Sequence, residues 1–103
     1  MAHEMADFDA TLAAAAGEDL ALLDELHAAF VESLVQQLDL LRRSRCDGNW
    51  EMAARRLTGL GSSFNAPELI KLAAEALDGA PGDPAVIRKL TALCSRFATR
   101  QAG

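Results

Sequence analysis

Between Leu20 and Leu41 the chain places apolar side chains at Leu20, Leu23, Leu26, Phe30, Leu34, Leu38 and Leu41, always three or four residues apart. That spacing puts them on one face of an α-helix and predicts a long helix from about Glu18 to Arg45 with this face buried. Glu18 and Asp19 complement the N-terminal end of its dipole; Arg42, Arg43 and Arg45 complement the other end. A shorter helical stretch, roughly Phe8 to Ala15, precedes it and ends at Gly17. After the CDGN break, Asn49 is expected to cap a third helix from Trp50 to about Phe64. Asn65-Ala-Pro-Glu68 has the Asn-x-x-Glu form of a helix start and predicts a fourth helix ending near Asp78. GAPGDP is a turn, with Asp83 as the cap and Pro84 as the first residue of a last helix that buries Val86, Ile87, Leu90, Cys94 and Phe97.

Four longer amphipathic helices joined by short loops predict an all-α fold, an up-and-down antiparallel four-helix bundle closed at one end by the short first helix. A chain of 103 residues supports one modest core. The expectation is therefore a single domain over 1–103, with about 1–6 and 100–103 frayed. Composition strengthens the all-α reading, because the apolar half of the chain is mostly Ala and Leu and tyrosine is absent.

On the third helix, Trp50, Ala53, Ala54, Leu57, Leu60, Gly61 and Phe64 share one face at 100° per residue and form the expected core side. Gly59 and Gly61 both fall inside this helix, where each glycine costs roughly 1 kcal/mol relative to alanine. Gly61 lies at the edge of the core face, where a small residue lets a neighbouring helix approach. Gly59 lies on the opposite face with Arg55 and Ser62, and with Thr58 beside them. Packing within the bundle gives no reason for a glycine there, so an exposed backbone kept free for a docking partner is the expectation.

Charge sharpens that expectation. Up to Leu40 there are nine acidic residues and no Lys or Arg; from Leu41 onward ten basic residues face six acidic ones, for a net charge of −5. Arg42, Arg43, Arg45, Arg55 and Arg56 fall close together in sequence. An acidic total argues against nucleic acid, and a local basic patch suits an acidic protein partner, with a plain solvated face as the other reading of Arg42, Arg43 and Arg45. No apolar run spans a bilayer and MAHEMADFDA lacks the pattern of a signal peptide, so a cytoplasmic protein without membrane contact is expected. Cys46 and Cys94 fit no metal-ligand spacing and read as small apolar residues in a reducing compartment. No metal or other cofactor is expected. No Ser-His-Asp, Cys-His, paired-carboxylate or phosphate-loop arrangement points to an enzyme.

The stretch ARRLTGLGSSFNA, Ala54 to Ala66, resembles the signature of histidine phosphotransfer (HPt) domains, in which Ala-His-x-Leu-Lys-Gly is followed by small residues, an apolar residue and Gly-Ala. Ala54, Leu57, Gly59, Phe64 and Ala66 fit in register, and the resemblance extends to Gly17-Glu18-Asp19, to Phe30-Val31-Glu32 and to the helix after the motif. It implies a two-component signalling module of the phosphorelay type. The departures fall on the chemistry: Arg55 stands where the family has its phosphorylated histidine, Thr58 where it has lysine, and Asn65 where it has glycine. A phosphoacceptor needs a nucleophilic lone pair near neutral pH, which imidazole has and a guanidinium lacks. Esters on Thr58 or Ser62 would be too stable to return phosphate to a carboxylate.

The expected function is that of a pseudo-HPt: a monomer that binds a response-regulator receiver domain or a histidine kinase without carrying phosphate. Its docking surface comprises Met52, Arg55, Arg56, Thr58, Gly59 and Ser62, with Arg55 at the phosphoacceptor-equivalent position. Two alternatives remain: phosphotransfer through His27, which lies near the apolar stripe of the long helix, or a purely structural or oligomerising bundle. His3 falls in the frayed start.

Overall fold

Each helix stops on a backbone hydrogen bond from the residue that follows it, and two of the five start at a side-chain cap. The computed structural model describes residues 5–100 and consists of five helices, with no strand among the described residues: α1 (Ala6–Ala16), α2 (Leu20–Arg43), α3 (Asp47–Phe64), α4 (Pro67–Asp78) and α5 (Pro84–Thr99). Gly17 ends α1 at φ +63°, a conformation glycine adopts without strain. Asp19 caps α2 by accepting the Leu22 amide at 3.1 Å, and Asp83 caps α5 by accepting the Ala85 amide at 3.0 Å. His3 lies outside the described residues.

Two expected caps are corrected. Asn49 lies inside α3, which begins at Asp47; the Trp50 amide already donates to the Cys46 carbonyl at 3.1 Å, and no side chain caps that end. Asn65 does not open α4. At φ 57° it is left-handed and closes α3, its amide donating to the Ser62 carbonyl and the Ala66 amide to Gly61 at 2.8 Å. This is the Schellman closure, and asparagine tolerates the left-handed backbone it needs. α4 then starts at Pro67, with no side-chain cap.

α3 packs on α2 and α4, and α5 packs on the same two helices from the other side. α1 packs on α2 and touches α3. All four phenylalanines of the chain meet at one level of the core: Phe8 lies 4.7 Å from Phe30 and from Phe97, and Phe30 lies 5.0 Å from Phe64 and 4.8 Å from Phe97 between ring centroids. Edge-on and tilted aromatic contacts of this kind add to area burial. Farther along, the Trp50 indole N–H donates to the Ala76 carbonyl at 2.7 Å, a second donor to an oxygen that already accepts the Gly79 amide, so the start of α3 is tied to the end of α4. Lys89 joins α5 to Glu75 of α4 at 3.0 Å, and Arg100 pairs with Asp9 of α1.

The predicted faces need three adjustments. Leu20 is exposed although it lies on the long helix's apolar stripe, and Leu23 and Leu26 are half-buried. On α3, Leu60 and Phe64 are half-buried. On α5, Ile87 is half-buried, while Leu93, which the sequence reading omitted, is buried.

Candidate functional site

The residues expected to form a docking surface lie in the middle of α3. The buried face of α3, Trp50, Ala53, Ala54, Leu57 and Gly61, fixes the rotation of the helix and so decides what the other face presents. Gly61 sits hard against α4: a Cβ there would lie 2.9 Å from Ile70 Cγ1, 3.2 Å from the Ile70 amide nitrogen and 3.3 Å from the Ala66 carbonyl. Gly59 is the opposite case, with nothing within 4 Å of where its Cβ would stand. Its exposed face is therefore unrelated to packing inside the molecule.

Arg55, one turn before Gly59, projects into solvent with its side chain 67% exposed and touches Glu51 only at 3.9 Å. An exposed i,i+4 pair of this kind contributes little and yields readily to a better carboxylate. Arg56, Ser62 and Met52 are also exposed, whereas Thr58 is half-buried with its hydroxyl donating to the Ala54 carbonyl at 3.2 Å.

Apart from the half-buried Thr58, the predicted residues divide between two sides of the helix. Arg55 and Ser62 point outward. Met52, Arg56 and Gly59 turn toward α2 and line two adjoining hollows that share Arg56. The first is completed by Leu40, Arg43, Ser44, Asn49 and Ala53, the second by Ser33, Gln37, Leu60, Ser63 and Phe64. Apart from Arg43, which belongs to the predicted basic patch, the α2 residues were missed by the sequence reading. One signal for them was present: Leu40 is a leucine off the α2 stripe, and it is 38% exposed.

Among the described residues no group of three or more His, Cys, Asp or Glu could hold a metal ion, and no helix is long and apolar enough to cross a membrane. His27 is half-buried, with its ring edge-on to Phe8 at 6.1 Å and its Nε2 enclosed. Cys46 is exposed and Cys94 buried, both with free thiols. Burial raises the Cys94 thiol above its ordinary pKa against a smaller opposing effect of Arg42, which disfavours the reactive thiolate. Compared with protein-family models, with curated proteins and with solved structures, the chain gives no match in any of the three.

Proposed function

We propose that the chain is an HPt-like docking module without phosphate chemistry, binding a response-regulator receiver domain, or the histidine kinase that works with one, through the outer face of α3. The observation carrying this reading is the contrast between the two glycines: Gly61 is filled by α4, whereas Gly59 opens onto empty space one turn from an exposed arginine. An interior glycine that lowers helix stability without serving the fold is accounted for by a partner's close approach.

The contact order α2–α3–α4–α5, closed by α5 on α2, supports the up-and-down four-helix arrangement that the HPt resemblance implies, with α1 across one end. Arg55 then occupies the position from which a phosphoacceptor would meet its donor. Its guanidinium offers paired N–H donors to clustered carboxylates such as those of a receiver, and no lone pair for a phosphoryl group. The Thr58 hydroxyl is engaged with its own helix, and the His27 Nε2 is enclosed with its ring edge-on to Phe8, which disfavours either group as a phosphoacceptor. Such a protein acts stoichiometrically, competing with genuine phosphotransfer proteins, and belongs in the cytoplasm with its partners.

The test uses receiver domains from the same genome, titrated one by one against the labelled protein. At least one should bind, with affinity falling as salt is added, and Arg55→Glu should weaken it tenfold or more, about 1.4 kcal/mol, with unchanged circular dichroism. Binding by none of them sinks the reading in favour of a structural bundle. Incubation with a phosphorylated receiver should leave the protein unlabelled; acid-labile, base-stable label that disappears in His27→Ala would establish phosphotransfer through His27.

A further inference from the structure

The two ends of α2 carry opposite charge, and each also exposes apolar side chains. Phe30 lies level with Phe64 near the end of α3 and with Phe97 near the end of α5. The ten residues from Leu20 to Ala29 therefore run about 15 Å ahead of that level, with α1 packed on α2. Leu20, at the tip, is 68% exposed although it points along the buried stripe. Glu18, Asp19 and Asp24 surround it in sequence, all exposed, and no described basic side chain pairs with them.

The far half of α2 forms the complementary surface. Leu40, Met52 and Ala53 line a groove of about 210 Å³ rimmed by Arg43 and Arg56. This is several times the roughly 30 Å³ share of one water molecule, so an aliphatic side chain fits. Met52 is 51% exposed. Arg43 holds Asp39 at 3.0 Å, whereas no described carboxylate lies within ion-pair distance of Arg56.

We infer that these two surfaces are partners between copies: the Leu20 tip of one molecule docks in the Leu40–Met52 groove of the next, head to tail. A net charge of −5 opposes indiscriminate self-association, so any attraction must be local. Tip against tip sets carboxylates against carboxylates, and groove against groove sets arginines against arginines. Only tip against groove brings Glu18, Asp19 and Asp24 to Arg43 and Arg56 while covering Leu20 and Met52 together. Such a contact is heterologous: each copy keeps one free tip or one free groove, and the assembly grows until it closes or dissociates. The small area places it among weak, salt-sensitive contacts, in departure from the monomer expected from sequence. The inference does not rest on receiver binding, although a copy seated in the groove would cover Met52 and Arg56.

Sedimentation of the purified chain, with no other protein present, tests it. Average mass should rise with concentration at low salt and return to the 11.0 kDa monomer at high salt. Leu20→Asp removes the tip, Met52→Asp removes the groove, and each variant alone should stay monomeric; both positions are exposed, so the fold is retained, as circular dichroism checks. Mixed in equal amounts, the variants should form a species of twice the monomer mass and nothing larger, because the intact groove of one takes the intact tip of the other. Wild-type protein monomeric at every concentration in low salt overturns the inference. So does association of the wild type with no dimer in the mixture, or association that strengthens with salt.

Discussion

Gly59 and Gly61 stand two residues apart in one helix, yet substitution should move stability in opposite directions. Alanine at Gly59 meets nothing within 4 Å and removes a glycine from a helix interior, so Gly59→Ala should leave stability unchanged or raise it by up to about 1 kcal/mol. Alanine at Gly61 meets the side chain and backbone of Ile70 and the Ala66 carbonyl, and backbone cannot swing aside as a flexible side chain does. Overpacking of that kind costs about 1–3 kcal/mol, which exceeds the helix-propensity gain, so Gly61→Ala should destabilise. Urea midpoints of the two variants, with unchanged slopes, measure both effects. A loss of several kcal/mol in Gly59→Ala would show that this face is packed and remove the basis for docking there. Gly59→Leu, tolerated by the fold, should nevertheless weaken receiver binding.

The ends of the helices rest on different devices and should respond differently. α5 depends on the Asp83 carboxylate, which accepts the Ala85 amide at 3.0 Å; Asp83→Ala should cost about 1 kcal/mol, read as a lower urea midpoint. The α3–α4 joint instead depends on backbone handedness at Asn65. Asn65→Gly should therefore hold or raise stability, because glycine adopts φ 57° without strain, whereas Asn65→Ala should lower it by about 1 kcal/mol. If Asn65 were the cap of α4, glycine would still be tolerated but alanine would fray α4 alone; hydrogen exchange of the Gly61 to Ala66 closure separates the two, since loss at the end of α3 is expected.

At the scale of the whole molecule, α1 is held to the other helices through its buried Phe8, Leu12 and Ala16, with Phe8 fully buried between Phe30 and Phe97, and through the Arg100–Asp9 pair at its margin. Phe8→Ala should cost about 3–5 kcal/mol, a large part of the roughly 5–15 kcal/mol that stabilises a domain. Phe64, on the edge of the same cluster and only half-buried, should cost less when truncated. Chemical denaturation of the two variants checks this order, and equal losses would contradict the arrangement of the aromatic layer.

The periodicity of the chain determined the helices, the buried side of α3 and the place of Gly61 at its edge, because each follows from spacing along a single helix, and turn residues determined the breaks at Gly17 and GAPGDP. The same spacing set Arg55 and Ser62 outward, whereas Gly59, expected beside them, borders the hollow that faces α2. What spacing could not contain is how far each neighbouring helix extends. Leu20 belongs to the α2 stripe by spacing, yet α3 and α5 end near the level of Phe30, and the tip stays uncovered. The groove joining Leu40 to Met52, the hydrogen bond from Trp50 to Ala76 and the handedness at Asn65 depend likewise on which helices lie side by side and where their ends meet. Those are long-range relations, and only tertiary packing decides them.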